Sequence, residues 1–270
     1  MAPPGHIYER TQAGGSVATV NTPSHSGMND GSYHLALSST ASNATLYSLC
    51  NGECGSHLSR TTLSGGRLQN GTTGTDTTVV AAAGQGAISL DVRGLIFDPV
   101  NSTWYYGTAA DASTNGEFGT VSFSGSTATL TRLLTGVPAH GLTFDPFTND
   151  IIFSSGNQID QYQLGIGVVA TGTVNISGHE KFDHSAADGH RHLFVASNDG
   201  NLVGMDYDSA LGHLINAAGS AVAERFLVAN LDDIAPLSGS GAPIPEPASL
   251  ALLAASLLGF VWVGRRRTRV

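Results

Sequence analysis

Two stretches of this chain repeat one residue pattern, and the repeat limits the possible folds more than any other feature. "GLIFDPVNSTWYYGT" begins at Gly94 and "GLTFDPFTNDIIFSS" begins 47 positions later at Gly141, with Gly, Leu, Phe, Asp and Pro in register. A looser copy, "HEKFDHSAADGHRHLFVAS", begins at His179, and a fourth begins as "LDDIAPL" at Leu231. A period of about 40 to 50 residues built from short apolar stretches is typical of β-propeller blades.

Each copy divides into four predicted strands. In the second copy these are "LTF", "IIF", "QIDQYQL" and "GVVATGTVNI", and Asp145-Pro146 opens the turn after the first of them. Proline presets φ for such a turn, and an aspartate carboxylate can accept hydrogen bonds from the N–H groups that follow. In the third copy "NDGN" separates two apolar runs, which is a strong hairpin signal.

The repeats predict an all-β fold, a β-propeller of about five blades. The segment "HIYERTQAGGSVATV" matches the third and fourth strands of a blade, so it and "LDDIAPL" would complete one blade from both chain ends and remove exposed sheet edges. A β-sandwich is the alternative, because the copies beyond the best two align loosely. The predicted propeller covers residues 1–237, with four full blades at 33–93, 94–140, 141–180 and 181–230.

Composition fits many turns and few long helices. Charged residues make up 12% of the 270 residues, about half the usual share, and there are 34 glycines. Four of the 12 basic residues lie in the last six positions, so the remainder has 8 basic and 21 acidic residues. An acidic body does not suit nucleic acid, which needs a basic face, so we expect no nucleic-acid partner.

The end of the chain differs from this body. Residues 248–264 carry no charge and would form a helix about 26 Å long, enough to cross a thin bilayer core. Trp262 stands where an interfacial aromatic residue is expected, and residues 238–244 form a flexible linker before the helix. The basic tail that follows should remain cytoplasmic, with the body on the other side of the membrane; it comprises Arg265, Arg266, Arg267 and Arg269.

The triplet Pro245, Glu246 and Pro247 immediately precedes this helix, and the prolines hold the backbone extended. The triplet, the apolar helix and the arginine cluster, together 245–270, resemble the PEP-CTERM sorting signal of Gram-negative bacteria. The resemblance implies that a membrane-embedded exosortase removes the tail and that the mature protein reaches the cell surface or an exopolysaccharide matrix. An ordinary membrane anchor is the alternative. Export also requires a signal peptide, which "MAPPGHIYERTQAGG" does not provide, so we expect the intact gene product to begin upstream of Met1.

Two groups of side chains are candidate metal ligands. The recurring acids could ring a central channel and bind Ca²⁺, or each could cap the turn after an inner strand; they are Asp98, Asp145, Asp183 and Asp232. Four histidines lie within fourteen positions, and with Asp183 they could bind zinc or copper, or lie exposed in loops; they are His179, His184, His190 and His192.

Cys50 and Cys54 are the only cysteines, and three residues separate them. In an exported protein we expect them to form a disulfide that closes a small ring. A redox-active thiol pair is the alternative, although the C-x-x-C spacing is missing.

No convergent set of catalytic residues stands out in the sequence. We therefore expect a non-catalytic structural or binding propeller that requires no cofactor and contacts polysaccharide or other matrix proteins. The alternative is an extracytoplasmic metal-dependent hydrolase or lactonase with Ca or Zn in the channel.

Overall fold

The structure is a computed structural model that describes residues 6–10, 15–22, 34–38, 43–49, 56–110, 113–173, 182–189, 192–197, 201–206 and 223–226. The chain divides into two compact parts, Met1–Ser240 and Gly241–Val270, and all described residues belong to the first part. The regular elements in the described ranges are all β-strands. These ranges contain no helix that is long and apolar enough to cross a bilayer. The prediction of an all-β fold is confirmed.

Four units of four strands follow one another along the chain. Unit 1 contains β3 (His34–Leu37), β4 (Thr45–Leu49), β5 (His57–Thr62) and β6 (Thr75–Ala81). Unit 2 contains β7 (Gly94–Asp98), β8 (Thr103–Gly107), β9 (Gly116–Ser124) and β10 (Thr127–Val137). Unit 3 contains β11 (Gly141–Asp145), β12 (Asp150–Ser155), β13 (Gln158–Gln163) and β14 (Gly167–Thr173). Unit 4 contains β15 (Phe182–Ala187), β16 (His192–Ser197), β17 (Asn201–Asp206) and β18 (Ala223–Phe226). The four strand sets fall within the four blades predicted from the repeats.

Successive strands of each unit pair antiparallel, and the units are arranged around their first strands. β3 lies beside β7, β7 beside β11, and β11 beside β15. Units 1 and 2 also join at their outer strands, where β10 pairs with β6 in parallel from Thr127 opposite Thr78 to Leu130 opposite Ala81. The first strands therefore form the inner strands of a propeller.

The apolar core lies between successive units. One cluster joins units 1 and 2 and includes Leu58 and Tyr106, a second joins units 2 and 3 around Phe118, and a third joins units 3 and 4 around Val195. Strand β12 is buried along its whole length because Ile151 faces unit 2 and the next residue, Ile152, faces unit 4. Sheets that pack on both faces in series are blades of a propeller, and the β-sandwich is wrong.

A two-stranded hairpin precedes unit 1. β1 (His6–Arg10) and β2 (Ser16–Asn21) pair antiparallel and bury Ile7 and Val20 against Leu68, with Leu46 at the edge of the cluster. The hairpin thus packs on the face of unit 1 opposite to the face that contacts unit 2, in the way that each unit packs on the next. This position is consistent with the predicted third and fourth strands of a further blade, whose other part, from Leu231, lies outside the described residues.

The turns after the inner strands of units 2 and 3 share one construction. Asp98 Oδ1 accepts hydrogen bonds from the N–H groups of Val100 and Asn101, and Asp145 accepts from those of Phe147 and Thr148. The fifth residue of each turn has positive φ, 52° at Ser102 and 62° at Asn149. The sequence repeat thus preserves even the backbone conformation of the turn.

Several predictions fall on residues outside the described ranges. These residues are Cys50, Cys54, His179, His190, Asp232, the linker 238–244, the motif Pro245, Glu246 and Pro247, the helix 248–264 and the tail of Arg265, Arg266, Arg267 and Arg269.

Candidate functional site

Three histidines and an aspartate meet where the inner strands begin. His34 is the first residue of β3, His140 immediately precedes β11, and Asp183 and His184 are the second and third residues of β15. Asp183 is 3% exposed, His34 3% and His140 1%, whereas His184 is partly exposed. Because inner strands of successive blades lie side by side, residues at their beginnings converge although they are far apart in sequence.

The backbone carbonyl of Asp183 lies in close contact with unit 3. A Cβ at Gly141 would overlap the carbonyl oxygen of Asp183, so only glycine allows this approach of β11 to β15. The hydroxyl of Ser154 donates to the same carbonyl at 2.6 Å, and the Thr143 hydroxyl donates to the carbonyl of Ser185 at 2.5 Å. These contacts fix the start of β15 and with it the carboxylate of Asp183.

His140 and Asp183 form a buried ion pair. His140 Nδ1 lies 2.7 Å from the carbonyl oxygen of Ala109, and Nε2 lies 2.8 Å from Asp183 Oδ1. Both oxygens can only accept, so both ring nitrogens carry a proton and the ring is an imidazolium. Burial opposes this charge, but hydrogen bonding and attraction to Asp183, helped by the Ala109 carbonyl, outweigh it and raise the pKa of His140.

The carboxylate of Asp183 also contacts the second histidine of the cluster. His184 Nδ1 lies 3.1 Å from Asp183 Oδ1, and the His34 ring packs on the His184 ring with centroids 4.1 Å apart. Burial would raise the pKa of Asp183, but the hydrogen bonds from His140 and His184 lower it well below its ordinary range. Asp183 is therefore ionised at neutral pH and in contact with two imidazoles.

The cluster has the composition of a transition-metal site. His34, Asp183 and His184 each offer one ligand atom, and these atoms lie within 4.8 Å of one another. His140 is different, because both of its ring nitrogens already face oxygen acceptors. Two imidazoles and one carboxylate suit zinc and related ions, while Ca²⁺ prefers six to eight oxygen ligands.

The structure brings together only part of the predicted histidine set. Asp183 and His184 lie in the cluster. His192 begins β16 at the opposite end of the β15–β16 pair, because Ser197 at the far end of β16 pairs with Phe182. Five residues of extended strand separate His192 from that end, about 16 Å. His192 is exposed and lies on a strand, not in a loop.

The three recurring acids that the structure describes do not form a ring. Asp98 and Asp145 cap turns, which agrees with the alternative to a Ca²⁺ site. Asp183 does not occupy the equivalent place, because the turn after β15 is closed by Asp188, whose Oδ1 accepts from the N–H of His192. Asp145 ends β11, whereas Asp183 is the second residue of β15, so the "FD" of unit 4 is not equivalent to the "FD" of unit 3.

The sequence analysis missed His34 and His140. Both stand at the beginning of an inner strand, and for His140 the repeat offered a signal because it immediately precedes the repeat glycine Gly141. The equivalent position before Gly94 is Arg93, so the repeat marks the place of His140 but not its residue type. No comparable pattern marks His34, since unit 1 lacks the Gly-Leu-x-Phe-Asp sequence.

Residues 243–267 match the family model of the PEP-CTERM protein-sorting motif. The chain carries a PEP-CTERM sorting motif. The match covers the triplet Pro245–Pro247 and the apolar segment that the sequence analysis singled out, so this resemblance is confirmed. A PEP-CTERM motif marks a secreted protein that is a substrate of exosortase.

The chain is also similar to several solved structures. A candidate 6-phosphogluconolactonase from Bacteroides uniformis has 12% identity and a TM-score of 0.49 over 80% of this chain and 63% of its own. The β-propeller domain of Cps50 (Swd1) from Myceliophteria thermophila has 10% identity and a TM-score of 0.48 over 79% and 62%. A catalytically inactive virginiamycin B lyase from Staphylococcus aureus has 14% identity and a TM-score of 0.42 over 72% and 55%.

The chain thus spans less than two thirds of the length of each of these three structures. No curated protein matches the sequence. At these identities the similarities do not bear on what the protein binds or catalyses.

Proposed function

We propose that the protein is anchored briefly in the inner membrane, processed by exosortase, and delivered to the cell surface or an exopolysaccharide matrix. There the propeller serves as a structural or binding component. The observation that carries this proposal is the sorting motif at residues 243–267. The proposal expects the apolar segment 248–264 to hold the precursor in the membrane with the arginines in the cytoplasm, and the prolines to keep the Pro245-Glu246-Pro247 triplet extended for the processing enzyme.

The body suits a protein that presents binding groups on its surface better than one that encloses a large substrate. Its units pack tightly against one another, and the outer strands β6 and β14 each expose two threonine side chains. In β6, for example, Thr75 and Thr78 are exposed while Thr77 and Val79 are buried. A rigid scaffold with exposed hydroxyl groups can bind glycans or neighbouring proteins through hydrogen bonds at low entropic cost.

A Glu246→Ala variant tests the sorting step in the native host. The variant should accumulate in the inner membrane as the unprocessed precursor, because the central residue of the recognised triplet is lost. Pro243→Ala is the matched control, since it changes the same linker outside the triplet and should be processed normally. Delivery of the Glu246→Ala protein to the surface at the level of the Pro243→Ala protein would contradict the proposal.

A second candidate function is metal-dependent hydrolysis, including lactone opening. The observation that favours it is the cluster of His34, Asp183 and His184, whose three ligand atoms lie within 4.8 Å of one another, with the His140 imidazolium beside the carboxylate. A metal ion bound there would supply a polarised water or a Lewis acid for a carbonyl group. A panel of ester and lactone substrates tests this function, with a His184→Ala variant as the negative control.

A further inference from the structure

We propose that His34, Asp183 and His184 bind one divalent transition-metal ion of the zinc class at the beginnings of the inner strands. Their three ligand atoms already lie within 4.8 Å of one another. In tetrahedral zinc sites with bonds of about 2.0–2.1 Å, ligand atoms are about 3.4 Å apart. The ligand atoms therefore need to approach by at most about 1.4 Å, which side-chain rotations provide without movement of the strands.

The three ligands come from blades at the two ends of the series. His34 belongs to unit 1, and Asp183 and His184 belong to unit 4, so a metal ion would join the first described blade to the last. An ion at this place would hold the inner strands of these two blades together. Metal binding is therefore expected to stabilise the body as well as to prepare it for chemistry.

The surroundings of Asp183 hold its carboxylate in place before any ion binds. Its backbone carbonyl accepts from the Ser154 hydroxyl and lies against Gly141, and its Oδ1 contacts His140. His140 in turn is fixed by the carbonyl of Ala109. Metal-ligating carboxylates are usually oriented by such outer contacts, whose loss weakens binding about 10- to 100-fold.

Among the described residues three ligands can bind the ion, and the fourth tetrahedral position is left for water, substrate or a further ligand. Structural zinc sites are filled by four protein ligands, whereas catalytic sites have three and keep one position for water or substrate. His184 is the most exposed of the three ligands, with 15% of its side chain accessible to solvent. The proposed site thus names the metal ligands for the candidate hydrolytic function. It is independent of the proposal that exosortase processes the tail.

The test is metal binding by the full chain, purified in mild detergent without a polyhistidine tag and stripped with a chelator. Zinc content by mass spectrometry should return to one ion per chain after equilibration with zinc. Co²⁺ should give the intense visible absorption of a tetrahedral site. The zinc-loaded protein should also melt at a higher temperature than the stripped protein, because the ion binds only the folded state.

His184→Ala should lower the zinc affinity at least tenfold and abolish the Co²⁺ absorption. This ligand is partly exposed, and its removal leaves the His140–Asp183 pair intact, so the variant should fold. His192→Ala is the matched control, since it removes an exposed histidine of the adjacent strand and should change the affinity less than twofold. His34→Gln provides a second ligand variant with the same expected loss.

Two results would overturn the proposal. One is a folded protein, with a native circular dichroism spectrum, that binds no zinc at micromolar concentrations. The other is an equal loss of zinc from His192→Ala and His184→Ala, which would show that surface histidines bind the ion. Either result would leave the sorting proposal intact, because processing of the tail is measured separately.

Discussion

Replacing Gly141 with alanine should destabilise the propeller strongly. The added methyl group would overlap the carbonyl oxygen of Asp183 and lie 2.5 Å from Ser154 Oγ. Asp183 would have to retreat by about 1 Å, judged from an ordinary carbon–oxygen contact of about 3.2 Å or more. The neighbouring strand β12 is buried on both faces, so unit 3 cannot move away from β15.

The cost can be estimated from two contributions. Overpacking of a well-packed core costs about 1–3 kcal/mol, and the fixed surroundings place this site at the upper end. Displacing the Asp183 carbonyl also breaks its hydrogen bond from Ser154, which contributes about 1 kcal/mol. Together these give a loss of about 3–4 kcal/mol in the free energy of unfolding.

Urea unfolding followed by near-ultraviolet circular dichroism measures this loss. Gly125→Ala is the control, because Gly125 lies in the β9–β10 turn with φ of 58° and nothing within 4 Å of an added Cβ. That variant suffers only the backbone strain of a left-handed residue, about 1–2 kcal/mol. The close approach of the inner strands would be refuted if Gly141→Ala cost no more than Gly125→Ala.

Three further predictions concern the turns and a buried acid. Asp145→Ala should cost about 2–3 kcal/mol in urea unfolding, since its carboxylate accepts from Phe147 N, Thr148 N and Thr148 Oγ1, and no loss would contradict its role as a cap. Ser102→Gly should stabilise by about 0.5–1 kcal/mol, because Ser102 is exposed with φ of 52°, and a lower melting temperature would contradict this. Burial raises the pKa of Asp160 despite hydrogen bonds from Gln158 and Thr171, so the stability that its protonated carboxyl contributes is present at low pH and lost as pH rises through the raised value. Asp160→Asn should therefore gain stability relative to the parent between pH 3 and pH 7, and a gap that narrows with pH would contradict the assignment.

The architecture could be predicted because the repeat carries its own turn chemistry. Gly94 to Asp98 and Gly141 to Asp145 match in sequence, and both copies fold into an inner strand followed by an aspartate-capped turn. Local signals of this kind depend on neighbouring residues alone. They therefore remain readable in a single sequence.

The site could be predicted only in part, because its geometry depends on contacts between distant residues. The histidine-rich segment indicates Asp183 and His184, but the "FD" match places Asp183 at the end of an inner strand, whereas it lies at the beginning of β15. His34 and His140 meet them only because inner strands of different blades lie side by side. Pairing between strands far apart in sequence leaves no local pattern.

The most direct test of the sorting account is terminal-peptide mass spectrometry on the protein recovered from its native cells. The account predicts a protein outside the inner membrane whose peptides end at or near the Pro245–Pro247 triplet, with none from the apolar segment or the arginine tail. Peptides that still contain Arg265 to Arg269, in a protein that remains in the inner membrane, would contradict it.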